Sequence, residues 1–286
     1  MSELTEKLTA IKQITRMDKP IGTYLLLWPT YWALWIASDG WPTLHMLFVF
    51  TLGVFLMRSA GCVINDFADR KIDGAVKRTQ NRPLVTGALS SSEALQLFAT
   101  FILFSLGLVL TLSNYTIMLS FVAVLLAASY PFMKRITHFP QVVLGAAFSW
   151  GMIMVFAQEQ GQIPVVAWLL FTANVLWTVA YDTMYAMVDR DDDLRIGVKS
   201  TAIIFGNNDK RIILFLQLMT LAILFTVGDI LAFGWPYQLS LVVVAGFFSY
   251  QQILIAGRER ERCFQAFLNN HYVGLVVFIG VTVEYL

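Results

Sequence analysis

Long apolar stretches separated by short polar segments follow one another along almost the whole chain. Each stretch approaches the ~20 residues that a helix needs to cross the hydrocarbon core of a bilayer. The pattern predicts nine membrane-spanning helices, at residues 21–38, 44–66, 94–112, 115–132, 140–157, 164–188, 212–232, 236–256 and 266–286. The last is the weakest, because Asn269, Asn270 and His271 interrupt its start. We expect these side chains to hydrogen-bond to neighbouring helices rather than to bind a ligand.

The segment before the first span, residues 1–20, is polar and carries charges of both signs. It lacks the apolar core and the small-residue cleavage site of a secretory signal. Apolar side chains recur in it at helical spacing, namely Leu4, Leu8, Ile11 and Ile14. This spacing predicts a short amphipathic helix on the membrane surface. We therefore expect one integral-membrane domain, residues 1–286, that begins with a short arm.

Composition and charge placement support this architecture. Of the residues, 57% are hydrophobic and only 14% are charged, whereas soluble domains average about 25% charged. Nineteen of the twenty Lys and Arg residues lie in the arm and in four alternate loops, 67–93, 133–139, 189–211 and 257–265. By the positive-inside rule these segments face the cytoplasm, which puts the C-terminus on the opposite side. The net charge of +1 gives no indication of nucleic-acid binding. The two cysteines, Cys62 and Cys263, suit packed or free thiols better than a disulfide.

Two acidic runs interrupt the apolar pattern on the cytoplasmic side. The first, NDFADRKID, contains Asn65, Asp69 and Asp73 at intervals of four residues, so on one helix they share a face. Asp66, seven residues before Asp73, returns to the same side. Gly74 follows directly, as at the end of a helix.

The second run, YDTMYAMVDRDDD, places Asp182, Asp189 and Asp193 on one helical face, while Asp191 points the other way. It too is followed by a glycine, Gly197. Carboxylates stacked near a helix C-terminus repel one another, so positive charge has to compensate. Two interpretations stay open: a solvated acidic helix end balanced by Lys and Arg, or one or two divalent cations held between the runs. Mg²⁺ suits the second, because it uses a few carboxylates and completes its shell with water and substrate phosphates.

One basic residue, Arg58, lies inside a predicted span. A charge at that depth is energetically costly and usually faces the protein interior or a wet cavity. Arg58 is seven residues before Asn65, so it shares the face of the first acidic run. A substrate contact and a structural ion pair with an aspartate of the second run are both consistent with this position.

Basic loops follow both acidic runs on the same predicted side. The first loop contains Lys77, Arg78 and Arg82, and the second contains Arg195, Lys199, Lys210 and Arg211. Carboxylates that hold Mg²⁺, together with bases that neutralise the remaining charge, suit a metal-bound diphosphate. Alternatively, the bases only set the topology and attract anionic lipid. Topology does not explain six carboxylates on two helical faces at the same depth.

The stretches NDFADRKIDG and YDTMYAMVDRDDD resemble the paired Asp-rich motifs of the UbiA superfamily of intramembrane prenyltransferases. Three further stretches are similar to those bacterial members of the family that act on 4-hydroxybenzoate: DKPIGTYLLLWPTYWALW, KRTQNRPLVTGALS and YPFMKRITHFPQVVLGAAFSWG. The resemblance covers nearly the whole chain. A lone NDxxDxxxD motif would be far less specific than this combination.

The resemblance implies an all-α fold in the bacterial inner membrane, with nine transmembrane helices around a central cavity open to the bilayer. The cavity would bind a polyprenyl diphosphate through Mg²⁺ at its cytoplasmic mouth. The reaction would transfer the polyprenyl group to the carbon ortho to the hydroxyl of 4-hydroxybenzoate and release diphosphate, as a step of ubiquinone biosynthesis. A different aromatic acceptor is the alternative, and an ion-coupled transporter is a more distant one, because its carboxylates would lie near the membrane midplane.

The resemblance also implies roles for particular residues. The expected metal ligands are Asn65, Asp66, Asp69, Asp73, Asp189 and Asp193, and four of them, Asp69, Asp73, Asp189 and Asp193, are the expected catalytic set. The expected substrate-binding residues are Arg58, Arg70, Lys77, Arg78, Arg82, Lys134, Arg135, Asp182 and Lys199. The planar fork of an arginine matches a carboxylate, so Arg135 is the first candidate for the acceptor carboxylate and Arg70 the second.

Asp182 and Asp189 are alternative candidates to polarise the phenol or to accept the ring proton. A carbocation left by the departing diphosphate needs electron-rich neighbours, for which Tyr130, Tyr181, Tyr185 and Trp177 are candidates, with ordinary packing as the alternative. The small residues Gly145, Ala146, Ala147 and Gly151 suit either a groove floor or a close helix contact.

Overall fold

The computed structural model describes residues 3–75 and 77–286, and in this part of the chain helices joined by short loops are present and strands are not. Its α-helices are α1 Glu3–Ile14, α2 Ile21–Ala37, α3 Leu44–Asp69, α4 Pro83–Thr86, α5 Ser91–Val109, α6 Asn114–Ile136, α7 Pro140–Gln160, α8 Val165–Ile196, α9 Thr201–Phe205, α10 Asp209–Ile230, α11 Trp235–Leu254 and α12 Arg260–Glu284. Three 3₁₀ turns lie at Asp73–Ala75, Gly206–Asn208 and Ile255–Gly257. The all-α prediction is confirmed.

Each of the nine predicted spans corresponds to one long helix: α2, α3, α5, α6, α7, α8, α10, α11 and α12. Eight helical segments of the described chain are long and apolar enough to cross a membrane. The ninth, α2, is shorter at 17 residues but is equally apolar in sequence. The protein is therefore a multi-pass membrane protein. We call the end of the bundle that carries both acidic runs the motif end.

Local sequence signals explain where several helices begin and end. Ser90 caps α5 through a capping box, in which its hydroxyl accepts from the Glu93 amide at 3.2 Å and the Glu93 carboxylate accepts from the Ser90 amide at 2.8 Å. Gly161 and Gly197 end α7 and α8 in the left-handed conformation, at φ 66° and 72°. The helix end predicted at Gly197 is thus confirmed.

Two helices extend well beyond the membrane spans predicted for them. Helix α8 continues past its span 164–188 through the second acidic run to Ile196, as the helix end predicted at Gly197 requires. Helix α12 begins at Arg260 rather than at 266, where Arg260 donates to Asp191 and Asp192 of α8. The amide groups expected to link neighbouring helices do so: Asn270 accepts from the Trp177 indole at 2.8 Å, and Asn269 accepts from Gln251 at 2.9 Å. The third polar residue, His271, instead contacts the Leu268 carbonyl of its own helix.

The buried core lies where α2, α7, α8, α10 and α12 pack together. Close approach of α7 and α8 depends on Gly145, because a β-carbon there would lie 3.1 Å from the Val175 α-carbon. For Gly145 the helix-contact interpretation is therefore the right one. Helices α5 and α6 are peripheral, with only 11% of their most apolar stretch buried. Most of their surface is available to lipid.

The arm differs in part from a helix that lies only on the membrane surface. Ala10 and Ile14 of α1 are buried against Val63 of α3 and Ala94 of α5. Leu4 and Leu8, on the other hand, remain exposed, as a surface-bound helix requires. One face of α1 thus docks on the bundle at the motif end, because its apolar side chains meet an apolar patch of α3 and α5. The first two residues of the arm lie outside the described residues.

Candidate active site

A cavity of about 900 Å³ runs between α2, α3, α5, α6, α7 and α8. At the motif end its lining is charged and polar, and we call this part the mouth: Arg16, Asn65, Asp66, Arg78 and Arg82. Toward the opposite ends of α3, α5 and α6 the lining is apolar, and we call this part the tail: Phe50, Leu108, Leu112, Ile117 and Phe121. The cavity is thus amphipathic along its length.

The first acidic run is not a single helix, which corrects the prediction that Asp73 shares a helical face with Asn65 and Asp69. Helix α3 ends at Asp69, and Asp73 lies in a separate 3₁₀ turn. The physical reason is that loop contacts hold Asp73: its carboxylate accepts from Arg82 at 2.6 Å, and its carbonyl accepts from the Thr79 hydroxyl at 2.8 Å. Gly74 lies inside this turn and does not terminate the helix.

Asp66 is almost fully buried between two arginines. Both of its oxygens accept from Arg16, Oδ1 at 2.9 Å and Oδ2 at 2.8 Å, and Arg82 Nη1 lies 2.9 Å from Oδ1. Arg82 therefore bridges Asp66 and Asp73. Arg16 was missed by sequence reasoning, because it belongs to the arm and to none of the motifs. Its backbone adopts φ 58° just after α1 ends at Ile14, and its side chain reaches Asp66 of α3.

Asp69 lies beside the basic end of α6. Lys134 donates to one carboxylate oxygen, and Arg135 Nη2 lies 3.8 Å from the other. That second oxygen, Oδ1, is buried without a hydrogen-bond partner. Arg135 is half exposed and donates to the Ala68 carbonyl at 2.8 Å. Lys134 and Arg135 thus border the mouth without lining the cavity.

The second acidic run lies on the continuous helix α8, as predicted. Asp189 forms a bidentate pair with Arg78, at 2.9 Å to Nε and 2.6 Å to Nη2, and the same guanidinium lies 4.7 Å from the Tyr185 ring centre. Partial burial by itself lowers the pKa of Arg78, but Tyr185 and Asp189 raise it above its ordinary value, so the guanidinium stays charged. Within the described chain, Asp193 has no ion-pair partner within 4 Å.

The two extra carboxylates of the second run have a separate partner. Arg260, at the start of α12, donates to Asp192 at 3.1 Å and to Asp191 at 3.3 Å. Asp191 is exposed and Asp192 is buried. These pairs connect α12 to α8 at the motif end. They give a structural role to Asp191 and Asp192, the two carboxylates of the run that are not among the expected metal ligands.

A second polar level lies deeper in the cavity, around Arg58. Its guanidinium packs on the backbone of α2 at Gly22, where an added β-carbon would lie 2.3 Å from Nη2. Arg58 Nε is buried without a hydrogen-bond partner, and no carboxylate of the described chain lies within 4 Å of the group. Asp182 is close enough to interact with it electrostatically. Three tyrosines, Tyr130, Tyr181 and Tyr185, complete this level of the lining.

Some predicted residues lie elsewhere. The Arg70 guanidinium covers the Phe67 ring of its own helix at 4.0 Å, and Lys199 donates to the Ile136 carbonyl at 3.1 Å. Lys77 is exposed. None of the three lines the cavity. Trp177 packs on Trp32 in the core, with ring centres 5.7 Å apart, so its place is one of packing rather than of cation binding.

The donor chemistry at the mouth fits a divalent cation, although the carboxylates are paired with bases. Within residues 3–75 and 77–286, no three carboxylate, His or Cys side chains form a group ready to hold a metal ion. Asp69 Oδ1 has no hydrogen-bond partner, and the Asp193 carboxylate has no ion-pair partner within 4 Å among the described residues. Both are hard oxygen donors, the kind that Mg²⁺ prefers. Asp66, by contrast, is fully satisfied by two arginines.

Comparison with known proteins places this geometry in context. The model of the UbiA prenyltransferase family matches residues 26–275. The 4-hydroxybenzoate octaprenyltransferase of Colwellia psychrerythraea is 72% identical over 286 residues, covering all of both chains. The protein of the same name from Aliivibrio fischeri is 60% identical over 280 residues, covering 98% of each chain.

Solved structures share the fold. The apo structure of a UbiA homolog from Aeropyrum pernix K1 superposes with a TM-score of 0.81 at 24% identity, over 92% of this chain and 98% of that one. A UbiA homolog from Archaeoglobus fulgidus, bound to GPP and Mg²⁺, superposes with a TM-score of 0.75 at 16% identity, over 96% and 99% of the two chains.

Proposed function

The chain belongs to the UbiA prenyltransferase family, and we propose that it transfers a polyprenyl group from polyprenyl diphosphate to 4-hydroxybenzoate. The new bond forms at the ring carbon ortho to the hydroxyl, and the products are 3-polyprenyl-4-hydroxybenzoate and diphosphate, a step toward ubiquinone. Full-length identity of 72% to a 4-hydroxybenzoate octaprenyltransferase supports both substrates.

The observation that carries the proposal is the amphipathic cavity. Polyprenyl diphosphate is a long apolar chain with a strongly anionic head, and the cavity joins a cationic mouth to an apolar tail in the same order. A transporter with intramembrane carboxylates would need its acids near the membrane midplane. Here the acidic runs lie at one end of α3 and α8.

The reaction breaks the allylic carbon–oxygen bond, and the electron pair leaves with the diphosphate. Arg78 and Arg82 line the mouth and stabilise the charge that develops on this leaving group. Mg²⁺, when bound, would supply further neutralisation of the diphosphate, and the residues that would hold it are Asn65, Asp69, Asp73, Asp189 and Asp193. We assign Asp66 to positioning Arg16 and Arg82, because both of its oxygens are already paired.

In this proposal the ion pairs of the mouth exchange partners when substrate binds. Arg78 and Arg82 now neutralise Asp189 and Asp73. If Asp73 and Asp189 held Mg²⁺, it would supply the positive charge that these carboxylates need. Arg78 would then be able to donate to phosphate oxygens, and so would the part of the Arg82 guanidinium that now faces Asp73, while its pair with Asp66 stays. Lys134 and Asp69 form a third pair of this kind. Arg135, Arg70, Lys77 and Lys199 lie outside the cavity lining, so we propose supporting roles for them at the rim.

The acceptor is anionic, and we propose that Arg58 binds its carboxylate. Arg58 lines the cavity, its Nε has no hydrogen-bond partner, and among the described residues no carboxylate lies within 4 Å of its guanidinium. A buried guanidinium without an ion-pair partner is stabilised strongly when a carboxylate binds to it, because the carboxylate compensates the buried charge. Arg135 and Arg70 remain the alternatives. Asp182 lies at the same level and is the candidate to polarise the phenol or accept the ring proton that is lost.

The motif end would face the cytoplasm of a bacterial inner membrane, since it carries nineteen of the twenty Lys and Arg residues. The polyprenyl substrate and the membrane lipid would then both reach the cavity from the bilayer. Anionic lipid on that face would also favour this orientation.

A direct test uses the purified full chain in lipid vesicles, with polyprenyl diphosphate, Mg²⁺ and one aromatic acid at a time. The expected result is prenylated 4-hydroxybenzoate, identified by mass, and little product with dihydroxynaphthoate or homogentisate. If another aromatic acid is prenylated and 4-hydroxybenzoate is not, the assignment of 4-hydroxybenzoate as the acceptor is wrong. Uptake of a labelled solute without chemical turnover would overturn the enzyme assignment. In the same assay Asp191→Asn is the matched control for Asp189→Asn, because Asp191 is an exposed carboxylate of the same run that does not line the cavity.

A further inference from the structure

Two glycines on α3 are placed where neither packing nor backbone conformation calls for glycine. Gly53 and Gly61 lie inside a regular helix, where glycine is less favourable than alanine. A β-carbon added at either position would meet no atom within 4 Å. By contrast, Gly145 and Gly274 lie against neighbouring helices, at 3.1 and 2.9 Å from the nearest atom.

Both glycines line the cavity, so the open space next to them is cavity space. Gly61 is four residues from Asn65 at the mouth, which is about 6 Å along the helix. Gly53 is twelve residues from Asn65, or about 18 Å, and lies where the tail begins. Beyond Gly53 the same face continues with Phe50 and Val49, which also line the cavity.

We propose that Gly53 sets the length of prenyl chain that the enzyme accepts, by leaving the cavity open at the start of its tail. This inference rests on the proposed prenyl transfer. An isoprene unit contributes four carbon–carbon bonds of about 1.5 Å each and so extends roughly 5 Å. A geranyl or farnesyl chain, of two or three units, fits between Asn65 and Gly53. An octaprenyl chain, of eight units, has to pass Gly53.

A side chain at Gly53 therefore shortens the usable cavity without touching the mouth. Gly53→Leu fills the open space with a branched side chain, and Gly53→Ala fills it with a single methyl group. Because nothing lies within 4 Å, neither substitution displaces protein atoms at its β-carbon. Gly61→Leu places the same group about 12 Å nearer to the mouth and should exclude the shorter chains as well.

The control is Gly107→Leu. Gly107 lies on α5, its β-carbon would also meet no atom within 4 Å, and it is exposed outside the cavity lining. The same substitution is thus made in a membrane helix with no expected effect on substrate choice.

The experiment measures kcat/KM with 4-hydroxybenzoate and either geranyl, farnesyl or octaprenyl diphosphate, in purified wild type and variants. For Gly53→Leu we expect kcat/KM with octaprenyl diphosphate to fall roughly tenfold to a hundredfold. Its kcat/KM with geranyl diphosphate should stay within about twofold of wild type. Gly53→Ala should lose less activity with octaprenyl diphosphate than Gly53→Leu. Geranyl turnover also shows that the variant is folded. An unchanged ratio of octaprenyl to geranyl activity, or an equal loss with both, overturns the role of Gly53. Absence of prenylated product from wild type with every diphosphate refutes the proposed function instead.

Discussion

Arg58 offers the sharpest test of how the acceptor is held. Arg58→Gln removes the charge and keeps a shorter polar side chain that can still form hydrogen bonds. A charge-assisted hydrogen bond is worth about 1.5–3 kcal/mol, so the KM for 4-hydroxybenzoate should rise roughly tenfold to a hundredfold. The KM for geranyl diphosphate should change little, because the diphosphate lies at the mouth, about two turns away along α3.

Gly22→Ala perturbs the same group without altering any charge. The new β-carbon would lie 2.3 Å from Nη2 and 2.5 Å from Nε of Arg58, so the guanidinium has to move. The expected result is a higher KM for 4-hydroxybenzoate, in the same direction as Arg58→Gln. Gly107→Ala is the control, since its β-carbon meets open space on the lipid side.

Both variants are assayed by varying one substrate at a time under saturating concentrations of the other. Arg58→Lys should recover only part of the loss, because an ammonium group cannot form the bidentate fork. The reasoning is refuted if Arg58→Gln weakens the diphosphate and spares the aromatic acid, which would place Arg58 among the phosphate contacts. A selective rise in acceptor KM for Arg135→Ala, with none for Arg58→Gln, would move the carboxylate to Arg135.

The remaining predictions concern the metal, the acidic runs and the core. Thorough chelation should abolish turnover, and added Mg²⁺ should restore it, because the donors at the mouth are hard oxygens; activity that survives chelation contradicts this. Activity should fall by far more than tenfold, a step of ~1.4 kcal/mol in barrier, in each of Asp69→Asn, Asp73→Asn, Asp189→Asn and Asp193→Asn. Asp191→Asn should stay within a few-fold of wild type, and equal losses in all five would point to a general effect of charge. Asn270→Ala leaves the buried Trp177 indole without an acceptor and should lower the free energy of unfolding by about 1 kcal/mol, measured by thermal unfolding in detergent.

The helices could be predicted from sequence because membrane insertion imposes a length and an apolar composition on each of them. The boundary that failed is one where a tertiary contact is made. Helix α12 begins at Arg260 rather than at 266, and Arg260 pairs with Asp192 of α8, 68 residues away along the chain. Nothing in the local pattern of either segment indicates that pair.

The spacing of acidic residues in the sequence predicts the two acidic runs, but it does not predict which residues surround them. Helical periodicity places Asp189 and Asp193 on one face correctly, whereas it fails for Asp73, which loop contacts hold in a separate turn. Spacing also carries no information about which base neutralises which acid. The role of Arg16 depends on how the arm docks on α3, and the isolation of Arg58 depends on Gly22 of another helix. Both are long-range facts of packing.

The length of α8 has a consequence for the fate of the two products. Its 32 residues extend about 48 Å, well beyond the ~30 Å hydrocarbon core of a bilayer. If the apolar part of α8 that begins at Val165 crosses this core, Asp189 and Asp193 near the other end would lie at the level of the lipid headgroups and the water beyond them, while the tail of the cavity would stay within the hydrocarbon. Cleavage of the allylic bond at this level separates the hydrophilic diphosphate from the lipophilic prenyl group at the boundary between water and the hydrocarbon of the bilayer. Diphosphate can diffuse directly into water, and the prenylated ring partitions into the bilayer by its own apolar chain, so neither product has to cross the phase that excludes it.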